Sequence, residues 1–194
     1  AIGLALMLGF KLPLNFNSPY KATSITDFWH RWHISLSSWL RDYLYILLGG
    51  NKKGSIRTYA NLMVTMLLGG LWHGASIRFV VWGGIHGAML ALEKFFGKLI
   101  PLHRHHKPAL LRFAGAIITF HVVCLSWIFF RASSMSNAYN MLGQIFTRFG
   151  GSQVVDVVMG YSPVMLAMLV GFGTHWFPVT WKESIRGLFI KLPL

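Results

Sequence analysis

Charge is scarce in this 194-residue chain, and negative charge above all. Charged residues make up 12% of it, against 54% hydrophobic, roughly half the ~25% charged share of an average soluble domain. Asp and Glu together number five, too few for a carboxylate-rich metal site or a hydrolase built on two carboxylates. The single cysteine excludes an internal disulfide framework. The sequence contains no Walker-type phosphate loop, no dinucleotide fingerprint and no GxSxG elbow, which disfavours nucleotide-driven chemistry and serine hydrolysis. His103, His105 and His106 crowd into HRHHKP, but without further ligands at zinc spacing they read as a solvated or headgroup-binding loop. No bound metal or cofactor is expected.

Aromatic and apolar residues are abundant. Eight Trp, fifteen Phe and a mean hydropathy of +0.52 make a water-soluble globule a poor description. The net charge is +13. A nucleic-acid binder would gather that charge on one soluble face. Here the cations flank long uncharged runs instead, as in a membrane protein: Lys52, Lys53 and Arg57; then Lys94, Lys98, Arg104, Lys107 and Arg112; then Lys182, Arg186 and Lys191. We therefore expect a lipid bilayer as partner and no nucleic acid. If residues 59–97 run down and back as a hairpin, these basic loops share one side, and the positive-inside rule makes it cytoplasmic.

The expected fold is all-α: a polytopic transmembrane helical protein. Residues 1–10 are apolar but too short to span, lack a basic n-region, and are expected to be the stub of a segment in a longer chain. Residues 25–47 (ITDFWHRWHISLSSWLRDYLYIL) should be helical, with Ser24 or Thr26 as cap and Asp27 four residues before Arg31. Arg31, His33, Arg41 and Asp42 make this segment too polar to face lipid, so it should be interfacial, re-entrant or cavity-lining. Transmembrane segments are expected over 59–97 (two blocks joined at LWHGAS), 109–130 and 154–177, with a short helix over SNAYNMLGQIF. The spacings Gly70–Gly74 and Gly83–Gly87 suit close helix approach in lipid.

Histidines carry the chemical interest, because an ionisable group at membrane depth is costly to hold there. His73 in GGLWHGAS is a candidate functional residue, with a helix-to-helix hydrogen bond as the alternative. His33, ringed by Trp29, Trp32 and Trp39, is either functional or part of an interfacial aromatic belt. His86 and His121 should bond between helices, and Cys124 should be inert. Neutral imidazole can accept a proton from a hydroxyl without a permanent buried charge. The residues alone leave two classes open: such proton-transfer catalysis, or a multi-span transporter or scaffold whose histidines serve packing or proton relay.

DFWHRWHISLSSWLRDYLYILLGGNKKG, followed by LLGGLWHGASIRFVVWGGIHG, resembles the membrane-bound O-acyltransferase (MBOAT) family. The match is to the bacterial branch typified by the alginate O-acetyltransferase membrane subunit. AIGLALMLGFKLPLNFNSPY upstream and WIFFRASSMSNAYNML downstream extend it over roughly residues 1–145. The resemblance implies that residues 1–194 are a C-terminal portion of one MBOAT-like domain, in a fold with a central cavity reaching both membrane faces. It implies catalytic roles for His73, in the LWHG motif, and His33, in the FWxRWH motif. Trp32 and Trp72 would wall the substrate channel. It further implies acetyl transfer from cytoplasmic acetyl-CoA, the acyl donor, toward an extracytoplasmic polysaccharide acceptor. A periplasmic SGNH-type acetyltransferase would be partner, and the location the bacterial inner membrane. In this scheme His73 is the general base and His33 hydrogen-bonds the reacting carbonyl or orients the acceptor; Ser35 and Ser37 are conceivable acyl carriers. The chain departs from the branch at His30, commonly Arg, at ILLGG for IPLGG, and at His121, usually apolar.

Overall fold

In a computed structural model, residues 2–99, 108–148 and 150–190 are described. His103, His105, His106 and the neighbouring Arg104 and Lys107 lie outside them, as does Lys191. The described residues form ten α-helices and no strand: α1 (Ile2–Met7), α2 (Ile25–Arg31), α3 (Ile34–Leu40), α4 (Gly54–Trp72), α5 (Ile77–Leu99), α6 (Ala109–Arg131), α7 (Met135–Thr147), α8 (Val154–Gly160), α9 (Ser162–Trp176) and α10 (Val179–Ile190). The chain divides into two units, residues 1–146 and 147–194.

In the first unit α2 starts where the sequence signals it. The Ser24 hydroxyl accepts from the Asp27 amide (3.1 Å), and Asp27 Oδ2 accepts from the Thr23 amide (3.2 Å). Asp27 Oδ1 also accepts from Arg31 Nε at 2.8 Å, the expected pairing one turn apart. Glu93, near the end of α5, accepts from the Thr26 amide (2.9 Å), placing a carboxylate at the positive end of α2. Glu93→Ala is expected to lower stability by about 1 kcal/mol, read as a lower thermal midpoint of the detergent-solubilised full-length protein.

The helix expected across 25–47 is broken. Trp32 is extended (φ −105°, ψ 127°) and His33 takes a left-handed conformation (φ 44°, ψ 56°). The preceding loop holds the break open: the Asn17 amide donates to the Arg31 carbonyl (2.9 Å), the Ile34 amide to the Asn15 carbonyl (3.0 Å), and the Ser35 amide to Asn15 Oδ1 (2.9 Å). A π turn, Arg41–Tyr45, follows α3. The segment enters and leaves at the same end of the α4/α5 hairpin. Thr26 bonds Glu93 at the entry, and at the exit Tyr45 bonds Asn51, which in turn bonds Lys94. His33 is the tip of the resulting V.

Helices α4 and α5 lie backbone against backbone. A Cβ on Gly70 would fall 2.2 Å from the Phe79 carbonyl oxygen, one on Gly83 2.2 Å from that of Met66, and one on Gly87 3.1 Å from the Met63 Cα. The turn between them closes on Gly74 (φ 150°), whose amide donates to the Leu71 carbonyl at 3.1 Å. Helix α4 runs unbroken through Gly69 and Gly70. Buried Asn61 ties it to the preceding loop through the Leu48 (3.2 Å) and Gly50 (3.1 Å) carbonyls.

By length and composition α5 and α6 are each able to cross a membrane. Helix α4, which carries Arg57, Thr58, Asn61 and Thr65, does not meet the same measure. On α6, Leu110, Phe113, Ile117 and Ile118 are exposed, a face suited to lipid rather than water. Helix α7 packs on the core through Ala138, Met135 and Leu142.

In the second unit the single span expected over 154–177 is two helices. Helices α8 and α9 meet at Tyr161 with a bend of 87°. Pro163 stands in the first turn of α9; it lacks an amide hydrogen and its ring crowds the carbonyl four residues back, so a helix arriving from 154 stops before it. The tail past 178 is helical in α10, and Lys182 donates to the His175 carbonyl at 3.2 Å.

Candidate functional site

The site grows from an aromatic core in the first unit. Trp32 stacks on Phe28 (5.6 Å between centroids, 16°) and tilts against Trp127 (5.3 Å). Phe28 stacks on His86 (6.1 Å), which Trp29 (5.2 Å) and Trp82 (4.9 Å) meet edge-on. Trp82 then meets the His73 ring at 5.3 Å and 89°.

His73 caps the C-terminus of α4, its amide donating to the Gly70 carbonyl at 3.0 Å. At about 1.5 Å per residue the nineteen residues of α4 place His73 ~28 Å from Gly54, at the far end of the hairpin from Lys94 and Lys98. Its half-buried ring is held by aromatic edges: Trp72 at 5.1 Å, Trp82 at 5.3 Å and Phe130 at 5.0 Å. Neither ring nitrogen is hydrogen-bonded among the described residues, so both are open to a reactant. His73 therefore makes no side-chain bond between helices.

His33 lies close enough to His73 for their charges to interact. Its Nδ1 is buried with no hydrogen-bond partner among the described residues, and the Phe16 ring stands 6.1 Å away. A left-handed non-glycine residue costs about 1–2 kcal/mol. The V brings this imidazole to the hairpin end where His73 sits.

Trp72 is 63% exposed and covers His73 from outside; Trp32 belongs to the inner cluster. Ser35 donates to Asn15 Oδ1 (2.7 Å) and Ser37 to the Trp32 carbonyl (3.1 Å), so neither hydroxyl is bonded to a histidine that could activate it. His86 does bond between helices, as expected, with Nε2 3.0 Å from Ser126 Oγ on α6. His121 does not: its exposed ring bonds the Ile117 carbonyl one turn back in its own helix, at 2.8 Å. Among the described residues no three His, Cys, Asp or Glu side chains gather as metal ligands.

A cavity of about 210 Å³ opens between the V and the hairpin. Trp29, Leu40, Leu62, Met66 and Leu90 give it apolar walls; Ser37, Ser38, Thr26, Thr65, Tyr45, His30 and Arg41 give it polar ones. Neither His33 nor His73 lines it. Sequence reasoning missed this cavity, since its lining comes from three separate stretches of the chain, 26–45, 62–66 and Leu90. Arg41 pairs with Asp42 through two bonds of 2.7 and 3.1 Å. That contact holds the Asp42 carboxyl below its usual range, so the pair is ionised at neutral pH. Burial raises the Tyr45 hydroxyl above its usual value, leaving it protonated as a hydrogen-bond donor.

Residues 1–136 match the model of the MBOAT, membrane-bound O-acyltransferase, family. A probable alginate O-acetylase AlgI of Pseudomonas fluorescens is 47% identical over 188 residues, 90% of this chain and 37% of the relative. A peptidoglycan O-acetyltransferase of Helicobacter pylori is 44% identical over 142 residues, 73% of this chain and 26% of that protein. A teichoic acid D-alanyltransferase of Bacillus subtilis is 32% identical over 143 residues, 67% and 35% of the two chains. The chain thus spans between about a quarter and little more than a third of these relatives. Its matched residues carry the V, the glycine-lined hairpin and both histidines, and the chain belongs to the membrane-bound O-acyltransferase family.

Proposed function

We propose that this chain carries the catalytic histidines of a membrane O-acyltransferase that moves an acetyl group from cytoplasmic acetyl-CoA toward an extracytoplasmic polysaccharide hydroxyl. The observation that carries the reading is His73: both ring nitrogens unbonded, in an aromatic setting, beside a second imidazole. The three relatives all bear names of group-transferring enzymes, which supports transfer over transport or scaffolding. A periplasmic SGNH-type acetyltransferase as next carrier and the bacterial inner membrane as location belong to the same proposal.

In this scheme a hydroxyl gives its proton to His73 as its oxygen attacks the thioester carbonyl carbon. The carbonyl electrons move to oxygen and return as the carbon–sulfur bond breaks. The thiolate then recovers the proton from the imidazolium, and an oxygen ester is left. His33 donates a hydrogen bond to the carbonyl oxygen while negative charge builds there. The donor approaches from the end carrying Lys94 and Lys98, where the cations attract its phosphates, and the cavity beside Arg41 admits its arm. Asn15 and Asn17 hold the backbone around His33, so the ring is placed before substrate arrives.

The test is transfer of labelled acetyl from acetyl-CoA by membranes containing the full-length protein. His33→Ala is expected to lower transfer by about 10²–10³-fold, the scale of a lost oxyanion donor, with an unchanged thermal midpoint. A lowered midpoint with normal transfer per folded molecule would make His33 purely structural. A membrane that binds acetyl-CoA but never transfers its acetyl group would remove the enzymatic reading.

A further inference from the structure

His86 and Ser126 are fully buried, and the scheme above gives them nothing to do. Their hydrogen bonds settle one proton. The Ser126 hydroxyl donates to the Val123 carbonyl at 2.8 Å, and a hydroxyl has a single hydrogen. Toward His86, 3.0 Å away, Ser126 can therefore only accept. Both Ser126 contacts are hydrogen bonds at once only when His86 carries its proton on Nε2, which leaves Nδ1 as a buried acceptor with no partner among the described residues. The bond runs from α5 to α6 and fixes the imidazole in the plane where Phe28 stacks on it and Trp82 meets it 4.9 Å away.

Trp82 is the link to His73. Its ring neighbours are His86, Trp29 at 5.8 Å, His73 at 5.3 Å and Phe130 of α6 at 5.3 Å. Phe130 is one turn beyond Ser126 on the same helix and itself touches His73 at 5.0 Å. Two of the three rings closest to His73 thus depend on the register of α5 against α6. The single side-chain hydrogen bond joining those helices among the described residues is His86–Ser126.

We propose that His86 and Ser126 are a positioning pair, whose bond between α5 and α6 sets the Trp82 and Phe130 edges that aim the His73 ring. The consequence for catalysis rests on the reading of His73 as base; the consequence for the ring itself does not. A misplacement of about 1 Å at a reacting group can lower a rate by as much as ~100-fold.

The experiment uses the full-length protein in detergent and two readouts: the rate at which diethyl pyrocarbonate modifies His73, followed by mass spectrometry, and kcat and KM for acetyl transfer. Ser126→Ala removes the acceptor at almost no change in volume. It is expected to speed His73 modification severalfold and to lower kcat on the order of tenfold, with KM near the parental value. His86→Gln retains an N–H where Nε2 stands and is expected to restore both readouts toward the parent; His86→Leu is not. Parental His73 reactivity in both Ser126→Ala and His86→Leu would overturn the proposal, as would His86→Gln behaving like His86→Leu. If Ser126→Ala fails to fold, the Gln and Leu pair decides alone. Should His73→Ala retain full transfer, the base reading falls, while the modification rates still judge the positioning pair.

Discussion

Replacing His73 with alanine in the full-length protein is expected to lower acetyl transfer by about 10²–10⁴-fold, the usual contribution of a positioned general base. The fall should appear in kcat, because the proton moves only as the hydroxyl attacks. Folding should survive. The His73 side chain makes no hydrogen bond among the described residues; it touches its neighbours through ring edges near 5 Å. Its structural duty, capping α4, is performed by its backbone amide, which alanine also has. His73→Ala should therefore reach the membrane in normal amount, with a thermal midpoint near the parent's and a dead transfer assay.

A large effect on stability is expected at Gly83. Here α5 crosses α4 so closely that a single methyl would sit 2.2 Å from the Met66 carbonyl oxygen and 3.0 Å from its carbon. Backbone cannot yield as a side-chain tip can, so Gly83→Ala has to push the helices apart. That parting would also open the turn carrying His73. A loss of about 3 kcal/mol, the upper end for overpacking, is expected, visible as depleted folded protein in membranes. Gly84→Ala is the control one residue on: its methyl would meet only Leu67 Cδ2, at 3.6 Å. Alanine is the better helix former by up to ~1 kcal/mol, so Gly84→Ala should be neutral or mildly stabilising.

Local signals in the sequence were enough for some of this arrangement. Ser24 and Asp27 announce the start of α2, and the glycine spacing announces the close packing of α4 on α5, because caps and small-residue faces depend on neighbours within a turn or two. The break at His33 was not legible. Its backbone is held by Asn15 and Asn17, which lie 16 to 18 residues earlier, and nothing within FWHRWHIS forces a left-handed residue. The helix bonds of His86 and His121 look alike in the sequence. Only the partner helix decides which ring is buried against Ser126 and which turns back on its own carbonyl. The LWHG and FWxRWH motifs mark His73 and His33 as the two candidate imidazoles, but that they stand within electrostatic reach follows from the V, a tertiary feature. Tyr161 is the opposite case: the signal, Pro163, is local, and the segment expected over 154–177 bends by 87° just before it.

The central claim is that His73 supplies the base for transfer. It is tested most directly by adding imidazole to full-length His73→Ala protein and measuring labelled acetyl transfer from acetyl-CoA to a hydroxyl acceptor. The open aromatic setting, with Trp72 63% exposed beside the ring, gives free imidazole a way in. The account predicts almost no transfer without imidazole, and a saturable recovery with it that is absent when His33→Ala is treated in the same way. Transfer at the parental rate by His73→Ala in plain buffer would contradict it.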